Sequence, residues 1–355
     1  MGAQGEEHDH DHGATIKRRP SMRDVARAAG VSLSAVSLVA AGRPGVGDEA
    51  RARTLAVMRR LGYAPRPRGR ADEERYTLAV ISERLAQPIE LDVFYAEILQ
   101  GIQAEAQRHG HRVLLHLLGD GEAAVDEMVA DMRGEIDGMI LANGGDVTDD
   151  EAIMRLVGSR APTVLVDNYV VDQPLHCVVA DSVTAGYLAT RHLLRLGHRR
   201  IGLLAGSPTY RSLIDRQEGY VAALMEHEVP LDRALISPST HHAGGRKGYH
   251  QMLRLLDAPA PPTAVVAISD KTAFGAMEAL KEQGARIPAD IALVSIDGVT
   301  ESAHTTPPLT TVGVPRAEMG AEAVRRLLAL LRDEGTVPTK TTLYTRLVVR
   351  HSCGG

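Results

Sequence analysis

The stretch with the clearest chemical pattern is 22–37, which reads MRDVARAAGVSLSAVS. It combines two short helical patterns around Gly30, whose backbone tolerates the left-handed conformation that a tight turn requires. Ser32 is a typical amino-terminal cap for the second helix. In a helix-turn-helix, the first turns of the second helix contact base edges in the major groove of DNA. The pattern predicts DNA contacts by side chains at the start of that helix: Ser32, Leu33, Ser34 and Ser37.

The distribution of charge supports this interpretation, although the net charge of the whole chain is −5. Residues 14–70 contain 13 Lys and Arg but only three acidic residues, which gives them a net charge of +10. Residues 1–13 carry four acidic residues and no Lys or Arg, so residues 71–355 have a net charge of −11. A basic head on an acidic body is typical of phosphate binding confined to one module. The alternative is a solvated basic surface without a partner.

Local signals predict how the first 75 residues are organised. Residues 1–19 are predicted to be a disordered tail, whose HDHDH run either chelates a transition metal or is simply solvated. Residues 20–63 are predicted to form a helix-turn-helix DNA-binding domain, and the Pro- and Arg-rich residues 64–75 a hinge or linker. Helices are expected over Met22–Ala29, from the Ser32 cap to about Ala41, and over Asp48–Leu61, with a core of Val25, Ala29, Val31, Val36, Val39, Val46, Leu55, Met58 and Leu61.

Residues 76–355 show the alternation of a doubly wound α/β body. Short runs of Val, Ile and Leu alternate with amphipathic helical patterns, as in parallel sheets covered by helices on both faces. The strands are too many for one sheet and the alternation restarts near residue 176, which predicts two lobes with a ligand cleft where the carboxyl ends of the strands converge. The predicted strands are Leu78–Ser82, Val113–Leu117, Met139–Ala142, Thr163–Val166, Val178–Ala180, Ile201–Ala205, Ala264–Ile268 and Ile291–Ile296. The predicted helices include Phe94–His109, Val183–Leu196, Leu213–Glu228 and Thr272–Gln283.

Composition and motifs speak against several other classes of protein. The start of the chain lacks the apolar core of a signal peptide, and no apolar run reaches transmembrane length. We therefore expect a cytoplasmic, nucleoid-associated protein rather than a solute-binding protein of a transporter. The two cysteines, Cys177 and Cys353, lack the CxxC spacing of a zinc site. No GxSxG, P-loop, HExxH or GxGxxG motif occurs in a suitable context, so we expect neither an enzyme nor a cofactor or metal site.

Beyond these patterns, the chain resembles the LacI/GalR family of transcriptional regulators. The resemblance implies a homodimer that binds a pseudo-palindromic operator in double-stranded DNA. It also implies an effector domain like the type I periplasmic binding proteins, which senses a small molecule such as a sugar or a related polar metabolite. The landmarks, in chain order, are 22–42, Arg51, 61–63 (LGY), Pro65, 192–201 (HLLRLGHRRI), 269–276 (SDKTAFGA), 307–312 (PPLTTV) and 318–320 (EMG).

Three positions depart from the family pattern on the DNA side. Leu38 replaces the usual Arg and offers only apolar contact, for example to a thymine methyl group. Ala41 replaces the usual Asn, a phosphate ligand. The hinge position that usually carries a Leu wedged into the minor groove is Asp72, and the Pro and Gly before it disfavour a hinge helix.

The remaining DNA contacts are expected from arginines. Arg51 is expected to contact phosphate, so its loss should weaken binding to all DNA sequences about equally. Arg66, Arg68 and Arg70 either follow a narrow minor groove as an extended arm or only keep the linker soluble. These departures leave open a degenerate family member with weak or ligand-independent DNA binding.

The resemblance also assigns the effector site residue by residue. Arg216 matches the family Arg that clamps ligand hydroxyls or carboxylates, and Asp297 matches the family Asp that accepts hydrogen bonds from the ligand. Ala243 and Val314 replace an aromatic and a polar residue of the sugar-binding pattern, so the identity of the effector does not follow from the sequence. The full expected set of effector-binding residues is Phe94, Tyr95, Asp167, Arg216, Ser269 and Asp297.

These expectations describe a repressor that acts by occupying its operator. A ligand would alter the angle between the lobes and hence the spacing of the two DNA-binding heads, which requires that the two states bind the ligand with different affinity. Residues 347–355 carry no heptad extension, which favours a dimer over a coiled-coil tetramer.

Overall fold

The chain divides into two units, Met1–Glu74 and Arg75–Gly355. In the part of the chain that the structure describes, no helix is both long and apolar enough to cross a membrane. The structure is a computed structural model, and the residues it describes are 22–40, 45–61, 75–83, 93–118, 127, 128, 130, 132, 134–142, 150–158, 161–239, 244–332 and 337–355.

The amino-terminal unit contains the three helices that its capping and glycine signals predict. Helix α1 spans Met22–Ala29, α2 spans Leu33–Ala40 up to the edge of the described residues, and α3 spans Asp48–Leu61. Gly30 follows α1 with a φ of +64°, where a Cβ atom would be strained. Ser32 caps α2, because its Oγ accepts a hydrogen bond of 3.1 Å from the backbone amide of Ala35.

The core of this unit shows which faces of the helices meet. Thr54, Val57 and Met58 are the buried residues of α3, at the i, i+3 and i+4 spacing of one helix face. Leu55 is 40% exposed, so its predicted place in the core is wrong. Each residue turns the helix by about 100°, which carries Leu55 off the buried face. The main core cluster contains Val25, Ala26, Ala29, Val36, Val57 and Met58, with Val31, Ala40 and Leu61 packed at its edge. Of the other predicted core residues, Val39 is buried and Val46 is half-buried.

Residues 75–355 alternate strands and helices, and the eight strands and four helices predicted for them all occur within two residues of their expected ends. The described strands are β1 (Thr77–Glu83), β2 (Arg112–Leu118), β3 (Gly138–Ala142), β4 (Thr163–Val166), β5 (Cys177–Ala180), β6 (Ile201–Leu204), β7 (Ile236–Ser237), β8 (Ala264–Ala267), β9 (Ala292–Asp297), β10 (Thr310–Gly313), β11 (Lys340–Leu343) and β12 (Arg346–Val348). The described helices are α4 (Val93–Arg108), α5 (Asp150–Val157), α6 (Ser182–Arg195), α7 (Arg211–Glu226), α8 (Gly244–Leu256), α9 (Asp270–Glu282) and α10 (Arg316–Leu331).

The strands form two separate sheets, which confirms the two-lobed α/β architecture. The described strands of the first lobe lie in the order β11-β5-β4-β3-β1-β2 and pair in parallel. Those of the second lobe lie in the order β12-β10-β9-β8-β6-β7, parallel except where β10 pairs with β12. Every residue of β3, β5, β6, β8 and β9 is buried, as expected for strands covered on both faces.

The described chain passes between the lobes at three points: after β5, after β10 and after β11. The second lobe begins with α6, which packs on α7 and β9. The restart of the alternation predicted near residue 176 is therefore misplaced, because β5 still pairs with β4 in the first sheet. Two of the crossing segments contact each other, since the amide of Asp181 donates to the carbonyl oxygen of Leu343 at 2.8 Å.

Candidate DNA-binding helix and candidate effector site

The start of α2 presents two exposed hydroxyl groups. The Oγ atoms of Ser32 and Ser34 lie 2.8 Å apart, and both side chains are exposed. Ser32 is held in place by its capping bond to the amide of Ala35. Hydroxyl groups both donate and accept, so this pair can bond to base edges or phosphate oxygens without a change in the backbone.

The other residues predicted to contact DNA are half-buried or lie outside the described part of the structure. Ser37 and Leu38 are half-buried on α2. Leu38 lies close to Gly45, where an added Cβ would meet its Cδ1 atom at 3.4 Å. Arg51 is half-buried on α3. Outside the described part of the structure lie the side chain of Leu33, the metal-binding alternative at residues 8–12, and the residues Ala41, Arg66, Arg68, Arg70 and Asp72.

A side-chain bond ties α3 to the end of α1 next to the turn. The Nε atom of Arg53 donates to the carbonyl oxygen of Ala29 at 3.0 Å. That carbonyl lies in the last turn of α1, where backbone oxygens lack helical partners. A positive charge at this end of α1 also interacts favourably with the helix dipole. The bond therefore holds the turn from which α2 starts.

In the second unit, two carboxylates stand at the carboxyl ends of strands in different lobes. Asp167 directly follows β4, and Asp297 is the last residue of β9. Their φ angles are +60° and +135°, which non-glycine residues adopt only at a cost of about 1–3 kcal/mol. Such strain persists where the surrounding fold imposes it, and it clusters at ligand sites. The carboxyl ends of parallel strands are the usual place for a ligand in α/β folds.

Arg216, on α7, forms a buried ion pair with Asp297. Its Nη1 atom lies 2.9 Å from Oδ1 of Asp297, and the two side chains are 2% and 8% exposed. The same Nη1 donates to the carbonyl oxygen of Ile268 at 2.7 Å. The Nε atom of Arg216 is buried without a hydrogen-bond partner. Burial raises the pKa of Asp297, and the charge of Arg216 opposes that rise.

Asp167 is a buried carboxylate with spare bonding capacity. Its Oδ2 accepts a long bond of 3.5 Å from the hydroxyl of Tyr95, while its Oδ1 has no hydrogen-bond partner in the described part of the chain. Burial raises the pKa of Asp167 to about 7, and the positive charge of Arg216 limits the rise. Asp297 and Asp215 push the pKa of Asp167 up further, because like charges nearby disfavour ionisation.

Phe94 and Tyr95 stand at the beginning of α4, next to this group. Tyr95 is buried and Phe94 is half-buried, and their rings meet edge to face with 5.2 Å between centroids. The guanidinium group of Arg316 lies 5.7 Å from the centre of the Phe94 ring, within the range of a cation–π contact.

Ser269 has a structural task that accounts for its position. Its Oγ accepts from the amide of Thr272 at 3.2 Å and caps α9, and it lies 2.9 Å from Oγ1 of Thr272. Its expected contact with an effector stays a prediction. Val314, at the position that the sugar-binding pattern makes polar, is buried and donates its amide to the carbonyl oxygen of Asp297 at 2.9 Å. Ala243 lies outside the described residues.

Arg316 is a residue of this region that the sequence analysis missed. It begins α10, is 4% exposed, and pairs with Glu97 of α4 at 3.0 Å. Its guanidinium group also donates to the carbonyl oxygens of Asp297 and of Gly298, the latter at 3.1 Å. Arg316 thus joins an acid of the first lobe to the end of β9 in the second. The signal available in the sequence was weak, an Arg just before the EMG landmark.

A second contact between the lobes involves Tyr169 and Asp215. The hydroxyl of Tyr169 donates to the carboxylate of Asp215 on α7, with distances of 2.9 and 3.2 Å to its two oxygens. The ammonium group of Lys340 lies 3.2 Å from the centre of the Tyr169 ring. Burial raises the pKa of Asp215, and the bond from Tyr169 and the charge of Lys340 oppose the rise.

Asp270 is buried next to Asp297, and it forms hydrogen bonds within the protein through its carboxylate and its backbone amide. Its carboxylate accepts from Oγ1 of Thr311 at 2.7 Å, from the amide of Val299 at 2.8 Å and from the hydroxyl of Ser295. Its own amide donates to Oδ2 of Asp297 at 3.2 Å. These bonds fix the loop after β9 and leave Asp297 with a defined orientation.

Comparison with known proteins matches both units. The family described as "Bacterial regulatory proteins, lacI family" matches residues 21–66, and the "Periplasmic binding protein-like domain" matches residues 190–353. The transcriptional repressor CytR of Escherichia coli (strain K12) is 31% identical over 341 residues, which cover 94% of this chain and 96% of CytR. The ribose operon repressor of Haemophilus influenzae is 30% identical over 336 residues, with coverage of 94% and 96%.

Solved structures show the same relationship. The transcriptional regulator CelR in complex with cellobiose superimposes with a TM-score of 0.72 and 29% identity, over 94% of this chain and all of that one (100%). The lac repressor dimer bound to operator and the anti-inducer ONPF gives a TM-score of 0.70 and 26% identity, over 94% and 99% of the two chains. Because this similarity runs through both units of the molecule, the chain belongs to the LacI family of DNA-binding transcriptional regulators.

Proposed function

We propose that this protein is a homodimeric repressor that binds a pseudo-palindromic operator and changes its DNA affinity when a small polar molecule enters the cleft between its lobes. The main evidence for effector binding is a pair of buried polar atoms that have no hydrogen-bond partner among the described residues: Oδ1 of Asp167 from the first lobe and Nε of Arg216 from the second. Leaving such atoms unpaired costs about 1–3 kcal/mol each, which a bound ligand would recover.

The DNA half rests on the exposed start of α2. The lac repressor dimer, to which this chain is similar, is bound to operator DNA. In this proposal, Ser32, Leu33 and Ser34 contact bases. Ser37 and Leu38, one turn further along α2, contact bases as well. The phosphate contact falls to Arg51, and the linker residues Arg66 and Arg68 reach the DNA backbone or the minor groove.

The effector half rests on the group of side chains around Asp167 and Arg216. Similar proteins have been solved with cellobiose and with ribose. Those ligands are rich in hydroxyl groups, which pair with carboxylate and guanidinium groups of this kind. The proposed effector-binding residues are Phe94, Tyr95, Asp167, Arg216, Ser269 and Asp297.

Pairing of two chains through the effector domain has support at one sheet edge. Strand β2 lies at the edge of the first sheet, and Leu114, Leu115 and Leu117 on it are 38%, 46% and 54% exposed. Neighbouring residues of a strand point to opposite faces, so leucines are exposed on both sides of this edge. A second copy of the chain would cover them, as expected for a dimer with one DNA-binding head per half-site.

The proposed domain division follows from the same considerations. It comprises a tail (1–19), a DNA-binding domain (20–63), a hinge (64–75) and an effector-binding and dimerisation domain (76–355). In this proposal the protein acts in the cytoplasm on chromosomal DNA and catalyses no reaction.

The first experiment is selection of fragments of genomic DNA by the purified protein at two salt concentrations. A specific regulator is expected to retain a pseudo-palindromic sequence at the higher salt, because base contacts depend less on counterion release than phosphate contacts do. Recovery of only salt-sensitive fragments without a common sequence would contradict specific operator binding and support the degenerate alternative. The mass of the complex checks the dimer: two chains per operator are expected.

A further inference from the structure

Among the described residues near Asp167, negative charges outnumber positive ones. The groups whose charge acts most strongly on its carboxylate are one cation, Arg216, and two further carboxylates, Asp297 and Asp215. The charge of Arg216 already has a partner, because its Nη1 forms the 2.9 Å ion pair with Asp297. Within the described residues, Asp167 itself forms no ion pair within 4.0 Å.

The other carboxylates of this region have partners of their own. Glu97 pairs with Arg316 at 3.0 Å, and Asp215 accepts from Tyr169 and lies near the charge of Lys340. Asp167 receives only the long bond of 3.5 Å from Tyr95. Among the described carboxylates of this region, Asp167 is therefore the one with neither an ion pair nor a hydrogen bond shorter than 3.5 Å, although it is only 6% exposed.

We propose that the effector carries a basic nitrogen, and that Asp167 receives this nitrogen as a protonated amine. The inference rests on the proposed function, since it concerns the ligand of the same cleft. An ammonium group would donate to the unpartnered Oδ1 atom and neutralise the carboxylate. A hydroxyl or ether oxygen elsewhere on the effector would accept from the unpartnered Nε of Arg216.

Charge balance favours an amine over the two other classes of ligand. A carboxylate or phosphate group would add negative charge beside Asp167, Asp297 and Asp215, where the nearby guanidinium group is already paired. A neutral hydroxyl group would satisfy Oδ1 but leave the charge of the ionised Asp167 carboxylate uncompensated. A hydrogen bond between two charged groups is also roughly twice as strong as one between neutral groups.

The test compares matched ligands that differ at one group. Amino sugars, aminated polyols and small diamines are offered to the full chain, each beside its hydroxyl counterpart and its carboxylate or phosphate counterpart, for example glucosamine, glucose and glucuronate. Stabilisation against heat ranks the ligands, and calorimetry gives the affinities of the best. The expected result is that the tightest ligand is an amine that binds roughly 10- to 100-fold better than its hydroxyl counterpart.

Two variants separate the role of Asp167 from a general loss of structure. In Asp167→Asn, the advantage of the amine over its hydroxyl counterpart should disappear, because the shape of the side chain is kept and its charge is lost. In Asp290→Asn, which changes an exposed carboxylate paired with Arg286 outside the cleft, the advantage should remain. The far-UV circular dichroism spectrum of each variant checks that it is folded.

Each remaining outcome contradicts a defined statement. A best ligand that is neutral or anionic would overturn the inference about the amine and leave the proposed effector site standing. An advantage of the amine that survives in Asp167→Asn would overturn the assignment to Asp167. Binding of no ligand in any class would contradict both the inference and the effector half of the proposed function, while operator binding would still stand on its own measurement.

Discussion

The two candidate binding regions differ in how their polar groups are held. At the start of α2, the hydroxyl groups of Ser32 and Ser34 are exposed and bond to each other at 2.8 Å. In the candidate effector site, Asp167 and Arg216 are buried, and one polar atom of each has no hydrogen-bond partner among the described residues. Exposed groups bond to water when no ligand is present, so presenting them costs little, whereas buried unpaired groups reduce the stability of the fold. Substitutions should therefore affect affinity alone in the first region, and affinity together with stability in the second.

The largest effect is expected for Arg216→Met. Removing the guanidinium group leaves Asp297 as a buried charge without its ion pair, which should lower the free energy of unfolding by about 3–5 kcal/mol. Urea unfolding of the full chain, followed by circular dichroism, measures the change. Arg286→Met is the matched control, because the pair of Arg286 with Asp290 is exposed and should leave the unfolding midpoint unchanged. Equal effects of the two variants would contradict the difference between the regions.

The next largest effect is a gain in the free energy of unfolding, and it depends on pH. Burial raises the pKa of Asp167 to about 7 from 3.8, so the folded chain binds a proton more tightly than the unfolded chain between these values. The stability of the protein should fall as pH rises through this window and level off above pH 7. At pH 8, Asp167→Asn should raise the free energy of unfolding by about 2–4 kcal/mol, since Asn carries no charge and tolerates the left-handed backbone conformation.

The charged and titratable groups around Asp167 are part of that expectation. They are Tyr95 on α4, Arg216 and Asp215 on α7, and Asp297 on β9. Unfolding of both proteins at pH 5 and pH 8 is the measurement, and the gain in the variant at pH 5 should be less than half the gain at pH 8. A gain that is the same at both values would show that Asp167 ionises normally in the folded chain.

A smaller loss is expected for Gly186→Ala. Gly186 lies on α6 where that helix packs against α7, and an added Cβ would lie 1.9 Å from the carbonyl oxygen of Arg216. The helices must separate, which should cost about 1–3 kcal/mol of stability and displace Arg216 from the cleft. In Gly245→Ala, the added Cβ would meet its nearest atom at an ordinary 3.7 Å, and stability should be retained. A Gly186→Ala variant with unchanged effector affinity would contradict the role of this packing in placing Arg216.

The smallest change in stability is expected in the DNA-binding unit. Ser34→Ala, which removes an exposed hydroxyl group, should change the free energy of unfolding by less than about 0.5 kcal/mol, and Arg51→Ala is compared with it on DNA. Their effects on DNA binding should nevertheless differ, because base contacts specify a sequence and phosphate contacts do not. Ser34→Ala should reduce the preference for the operator over random DNA, while Arg51→Ala should weaken both about equally. Identical losses on both kinds of DNA for both variants would remove this assignment.

The elements that the sequence predicted best have local signals. Helix α3 begins and ends at the predicted residues, Asp48 and Leu61, because an acidic first turn and a following glycine mark its ends within a few residues. Strands β10, β11 and β12 were not predicted. Their short stretches contain Thr, Lys, Gly and Arg, and become strands only because a neighbouring strand supplies hydrogen bonds.

The candidate effector site likewise contains residues that were predicted from the sequence and one that was not. The resemblance to known regulators singled out Arg216 and Asp297, and the structure brings them to 2.9 Å. The position of Arg316 in this site was not predicted, because its partners are a carboxylate on α4 and two carbonyl oxygens at the end of β9. Every residue has a backbone carbonyl oxygen, so no pattern of side chains in the sequence predicts which of these oxygens an arginine will contact.

By itself, the sequence determined the helix-turn-helix, its basic charge and the alternating α/β pattern of the body, since capping, charge and hydrophobic period act over a few residues. Only the tertiary structure decided that β11 joins the first sheet and β12 the second, and that Asp167 is buried near Arg216 with no ion pair to a described residue. The physical reason is that strand order and the burial of a charge depend on segments far apart in the chain. These segments meet only when both lobes are folded.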